Sequence, residues 1–211
     1  MHTLRLARTL VVVVAAAAAF TALPAAPASA AQSCSSASKA RGASVVASSD
    51  TAVVFGNGRY YGCLYKKGKV RKLPVSCCFP ERFTLGGRYV AYTFRGSAEG
   101  DETDRIGLYD LKTGKVKNLD PGNTFEPNVI DTGQIIFGFF VRTNGTIAWL
   151  QTSGDQQASV PGPNQVHVVG PDGVNRVIDE GNIPQGSLGL SSDGKTLYWL
   201  KDGAPQTAVL P

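Results

Sequence analysis

The chain has 211 residues, with 21 Lys and Arg against 16 Asp and Glu and a formal net charge of +5. That length suits one domain with a sizeable core. A charge this mild, with no basic stripe interleaved with stacking aromatics, argues against a nucleic-acid-binding class.

Taken in order, residues 1–30 are not fold. Arg5 and Arg8 make a basic start, Leu10 to Phe20 is an apolar run, and Ala28-Ser29-Ala30 supplies the small residues that signal peptidase reads. This is a secretory signal peptide, with cleavage expected after Ala30. The run is short for a bilayer span and is succeeded by Pro24 and Pro27, so no stable span is expected after cleavage. Residues 31–43 are rich in Ser, Ala and Gly and read as an irregular leader. Residues 44–211 form one β-propeller-like domain on the repeat pattern of their strands, with negligible helix expected outside Met1–Pro24.

All four cysteines, Cys34, Cys63, Cys77 and Cys78, lie in the exported part. An even count in an exported chain suggests disulfides, and four cysteines allow three pairings. Cys34–Cys63 is the expected bond, because it staples the leader to the first repeat. A bond between the adjacent Cys77 and Cys78 would be strained. There is no C-x-x-C, and His167 is the one histidine beyond the signal segment, so no metal or other cofactor is expected.

From Ser44 onward, short runs of Val, Ile, Tyr, Phe and Leu are separated by Gly, Asn, Asp and Pro, the punctuation of strands. Two registers repeat. In the first, a turn glycine precedes an apolar residue by five positions: Gly68 and Leu73, Gly114 and Leu119, Gly173 and Ile178. GKVRKL at Gly68 and GKVKNL at Gly114 are close copies. The second register is a preceding strand, TAVVF at Thr51, RYVAYTF at Arg88, TIAWL at Thr146 and TLYWL at Thr196. Four copies of that strand stand beside three of the strand-turn-strand unit. Asn144-Gly145 signals a two-residue hairpin with both central residues at positive φ.

Such a repeat predicts an all-β fold, a small propeller of about four blades. The blades would be Ala43–Val75, Cys78–Pro121, Glu126–Gly181 and Ile183–Pro211. The last is incomplete, or is closed by Ser44–Ala47 pairing beside the C-terminal strands. Phe55, Tyr92, Trp149 and Trp199 are expected in the layers between blades, each burying enough apolar surface to contribute roughly 2–3 kcal/mol. For Trp149 and Trp199 a sugar-stacking platform is the alternative to core packing. The lysines at Lys66, Lys67, Lys69 and Lys72, with Arg71, read as a device that keeps an edge strand soluble; an anionic-ligand site is the sharper alternative.

VHVVGPDGVNRVID (Val166–Asp179) and LSSDGKTLYWL (Leu190–Leu200) resemble the TolB-like, WD-repeat-like propeller repeats of exported bacterial proteins. Ser191-Ser192-Asp193-Gly194 stands where the family has its S-P-D-G start, with serine in place of the usual proline. The resemblance implies a propeller that serves in recognition, and supplies no catalytic residue to carry over.

Chemistry-bearing residues outside the repeat are few. Glu99, Asp101, Glu102 and Asp104 read as a solvated inter-strand loop, with a calcium site as the alternative; their spacing fits no EF-hand. His167, between Val166 and Val168, reads as an ordinary strand position. No G-x-S-x-G elbow occurs. The function expected is therefore an exported, non-enzymatic module binding an extracellular or cell-envelope protein or glycan through a propeller face. The alternative is a polysaccharide-acting hydrolase or lyase using channel carboxylates, among which Glu126 and Asp131 also count.

Overall fold

The computed structural model describes residues 28–75, 82–98, 101–117, 119, 129–131, 135–152 and 162–211. Residues 1–27 of the expected signal peptide, Cys77, Cys78, Glu99 and Glu126 lie outside them.

The strands fall into four antiparallel sheets that succeed one another in sequence. Blade A holds β1 (Ser44–Ser48), β2 (Ala52–Gly56), β3 (Tyr60–Leu64) and β4 (Val70–Lys72). Blade B holds β5 (Arg82–Gly86), β6 (Tyr89–Ala98), β7 (Asp101–Asp110), β8 (Lys115–Val116) and β9 (Val129–Asp131). Blade C holds β10 (Ile136–Val141), β11 (Ile147–Thr152), β12 (Asn164–Val169) and β13 (Asn175–Gly181). Blade D holds β14 (Gly189–Leu190), β15 (Thr196–Lys201) and β16 (Ala204–Val209). Sequential meanders stacked face to face are propeller blades. The recurring TAVVF-type run is the second strand of each blade, and the strand-turn-strand unit is the outer pair.

Several expectations change. Residues 28–40 form a helix, α1 (Ala28–Ala40), rather than an irregular leader. Alanine favours helix and no Gly or Pro interrupts the segment. It ends in a Schellman motif: Gly42 takes φ 57°, its N–H donates to Lys39 O, and the Ala43 N–H donates to Ser38 O. Among its described side chains the packed face is Cys34, Ala37 and Ser38, too faint an apolar stripe to read as periodic. β1 pairs with β2 in its own blade, so Ser44–Ala47 does not close blade D. β9 joins blade B rather than blade C: it takes the Arg105–Gly107 stretch of β7, while β8 takes Tyr109 and Asp110. The Asn144-Gly145 hairpin is longer than two residues, since β10 ends at Val141 and β11 begins at Ile147. Gly145 alone in this turn takes positive φ, at 86°, and the Asn144 carboxamide oxygen accepts the Thr146 N–H instead.

Three apolar layers join the blades. Val54, Leu73, Tyr92 and Leu111 pack between A and B. Ile106, Leu119, Ile147 and Trp149 pack between B and C. Leu150, Val166, Leu197 and Trp199 pack between C and D. Phe55 does not share this arrangement. With Val53, it lies on the far face of blade A, beneath α1, where Cys34 bonds Cys63. Ile178 also departs from its copies: Leu73 and Leu119 are buried, whereas Ile178 is 37% exposed. Blade D has three strands where blade C has four. Its middle strand still reaches β13: Trp199 Nε1 donates to Asp179 Oδ2 at 2.7 Å and Lys201 Nζ to Asp179 Oδ1 at 2.6 Å.

Candidate functional site

The innermost strands β1, β5 and β10 each pair on one side only, leaving a backbone edge turned inward. Two of them carry register irregularities, between Val45 and Ala47 on β1 and between Ile136 and Gly138 on β10. A bulge leaves one residue unpaired and re-aims its neighbours. Both lie on one cleft of about 490 Å³, lined by Val46, Tyr60, Arg82, Phe83, Thr84, Gly138, Phe139 and Phe140. Val46, the extra residue on β1, is 45% exposed. Gly138 leaves open space where a side chain would sit.

Arg82 fixes the geometry. Its Nη1 donates to Phe137 O at 2.6 Å and its Nη2 to Ile136 O at 3.0 Å, so a side chain of blade B clamps the irregular stretch of blade C. The guanidinium thereby holds two backbone carbonyls of blade C and places a positive charge at the cleft. The aromatic wall continues inward: Tyr60 meets Phe83 at 4.9 Å between centroids, Phe83 meets Tyr92 at 6.4 Å, and Tyr92 meets Phe94 at 6.1 Å. Burial, helped by Tyr109, pushes the Tyr92 phenol up to about 12, so it stays neutral. A cationic, aromatic-walled cleft beside strands that pair on one side only can stack a planar or apolar group of a bound chain.

The residues singled out in the sequence lie elsewhere. Cys34 and Cys63 form the expected disulfide, with Cα atoms 5.8 Å apart. Asp101 and Glu102 are not in a loop; they begin β7, paired with Ala98 and Ser97. Asp104 is buried on the same strand and its Oδ2 accepts the Ile136 N–H at 2.8 Å, tying blade B to blade C. Trp149 is fully buried, its Nε1 donates to Gln151 Oε1, and its ring stacks on His167 at 4.8 Å; it presents no face to a sugar. His167 is 6% exposed, with Asn175 and Gln165 carboxamides 3.1 Å from its two ring nitrogens. Burial holds its pKa below the ordinary value, against weaker opposing effects from Asn175 and Glu180. Asn175 Oδ1 faces Nδ1 and Gln165 Oε1 faces Nε2, so the tautomer decides which carboxamide the neutral ring donates to. Among the described residues, no group of three or more His, Cys, Asp or Glu side chains is placed to hold a metal. No described helix is long and apolar enough to cross a membrane. The cleft residues escaped sequence reading because what joins them is two bulges and a cross-blade arginine, none of which repeats.

No protein-family model matches the chain. No curated protein matches it either. Solved structures do. An acylaminoacyl peptidase from Pyrococcus horikoshii is similar at TM-score 0.50 and 11% identity, over 78% of this chain and 30% of that one. TolB from Acinetobacter baumannii gives 0.42 and 14%, over 76% and 38%. A gluconolactonase from Xanthomonas campestris gives 0.37 and 15%, over 74% and 52%. The chain thus spans about a third of the first two structures and about half of the third. At these identities the likeness is one of fold.

Proposed function

We propose that the protein is an exported, non-enzymatic recognition module whose inner-face cleft takes a segment of an extracellular or cell-envelope protein or glycan. The observation that carries this is the cleft itself: three blades contribute to it, two strand irregularities open it, and Arg82 holds it in shape. The Cys34–Cys63 disulfide suits an oxidising compartment, as export requires. Asp104 and His167, the carboxylate and histidine an acid–base mechanism would recruit, are engaged with Ile136 and with Trp149, Asn175 and Gln165. They line no part of the cleft.

The test uses the chain from Ala31 onward as bait for cell-envelope fractions and as analyte on a glycan array. Specific capture is expected, and Phe83→Ala with Val46→Glu should abolish it while leaving the circular dichroism spectrum unchanged. Empty results in both formats, beside turnover in a substrate screen, would replace recognition with enzymology.

A further inference from the structure

The basic cluster of the first outer hairpin does not stand alone. Backbone bonds place the turns of blades A and B at one rim: Tyr65 N donates to Thr51 O at 3.0 Å, Thr51 Oγ1 to Gly87 O at 2.7 Å, and Leu111 N to Arg88 O at 2.9 Å. Arg71 then crosses between the hairpins. Its Nε donates to Leu111 O at 2.8 Å and its Nη2 to Lys112 O at 3.0 Å. A methyl group on Gly114 would meet the Arg71 Nη1 at 2.1 Å, so the second turn closes around the guanidinium. This locks Lys66, Lys67 and Lys69 of one turn beside Lys112 and Lys115 of the next, all five exposed.

The five lysines are not balanced from within their two hairpins; the adjoining turn before Thr51 adds one exposed carboxylate, Asp50. Residues 60–75 contain no carboxylate, and residues 105–117 contain only Asp110. Asp110 is engaged: its Oδ2 pairs with Arg88 Nε at 3.2 Å and its Oδ1 accepts the Lys112 and Thr113 N–H groups. Edge protection accounts for lysines on a strand. It does not account for an arginine spent on two carbonyls of the neighbouring blade to bring a second set of lysines alongside.

We propose that this two-hairpin rim binds an anionic polysaccharide, its phosphodiester or carboxylate groups lying along the lysines. Flexible ammonium groups spread over two turns suit charges repeated along a polymer. The five lysines bring no aromatic platform of their own for stacking bases, and no apolar wedge for entering a lipid surface. The assignment rests on the export reading and is independent of the cleft. The cleft is lined by Arg82, at the end of β5 away from the Gly87–Arg88 turn.

The experiment measures binding of the chain from Ala31 onward to a polyuronate and to a polysaccharide joined by phosphodiesters, with dextran and duplex DNA as comparisons, across increasing salt. Binding to at least one anionic glycan is expected, weakening as salt shortens the screening length from about 10 Å toward about 3 Å; which glycan binds tells phosphate from carboxylate. Lys66→Gln, Lys67→Gln and Lys69→Gln together should weaken it by about tenfold or more. Arg71→Lys keeps the charge but releases the second turn, and should weaken it too. Phe83→Ala should bind the glycan normally, which separates this rim from the cleft. The proposal is overturned by no binding to either anionic glycan, by equal binding to dextran, by equally tight binding to DNA with the same salt response, or by Arg71→Lys behaving as wild type. Unchanged melting temperatures of the lysine and arginine variants show that a loss of binding is not unfolding.

Discussion

Removing the Cys34–Cys63 bond should uncover how much the end blade depends on its helix. The two cysteines are 29 positions apart. A loop of that length restricts the unfolded chain by an entropy worth about 3.6 kcal/mol at room temperature in the loop-closure treatment. The folded state loses as well. α1 has 13 residues, about the length at which an isolated helix is marginal in water. Among the described residues, the apolar cluster beneath it joins Cys34, Ala37 and the closing Ala43 to Val53, Phe55, Tyr61, Tyr65 and Val70. Without the bond, α1 should fray and wet Phe55. The comparison is Cys34→Ala/Cys63→Ala against wild type in a urea titration, with limited proteolysis of residues 31–43 alongside. The expected result is a loss of about 2–4 kcal/mol with early cleavage in that segment. A variant within about 0.5 kcal/mol of wild type, equally resistant to protease, would refute the reasoning, because surface changes without structural consequence stay in that range.

Three further outcomes are expected. Gly107→Ala should destabilise by about 1–3 kcal/mol, as overpacking does, since the new methyl group would meet the Tyr92 ring at 2.3 Å; thermal melting checks it, and Gly58→Ala is no substitute control because Gly58 takes positive φ. Asp104→Ala should cost about 1–3 kcal/mol by leaving the Ile136 N–H buried without that partner, again read by melting. His167 should make the fold acid-sensitive: its pKa is held below 6.5 by burial, so the unfolded chain binds the proton more readily. The stability it contributes is complete above 6.5 and is lost as pH falls through the folded value. Melting temperatures between about pH 7.5 and pH 5 should fall in wild type and fall less in His167→Gln.

The repeat was legible because it is a packing rule written in side chains. A turn glycine, a branched outer strand and a TAVVF-type second strand recur wherever a blade must bury both faces, and Leu73, Leu119, Trp149 and Trp199 occupy the layers this implies. The three strands of blade D match one of the two outcomes that count leaves open, an incomplete last blade or one closed by Ser44–Ala47. The disulfide pairing is one of three that four cysteines allow; stapling the leader to the first repeat favours Cys34–Cys63, and that bond is present. What escaped depends on contacts that no periodicity encodes. α1 has almost no apolar stripe, so its helicity comes from alanine, the Gly42 cap and a covalent anchor. β9 is assigned to a blade by pairing with Arg105–Gly107 across a long sequence interval. The acidic run looked like a loop because four carboxylates within six residues oppose burial, yet Asp101–Asp104 extend β7 opposite β6. The cleft arises from bulges, which cost one residue of register and leave no compositional trace.

The order of the apolar layers has a mechanical consequence. Cohesion runs from A to B, B to C and C to D, and among the described residues no core cluster joins D back to A. A ring distributes a local injury around its circumference; a row does not. Each blade here answers only to its immediate neighbours, so stability should accumulate along the row as a sum of nearest-neighbour terms. Melting should then begin at the blade with one neighbour and no helical cover, and a lesion such as Gly107→Ala, between A and B, should leave the amide protection of β15 and β16 almost untouched. In such a molecule the covalently held helix is a bookend: it decides from which end the row comes apart.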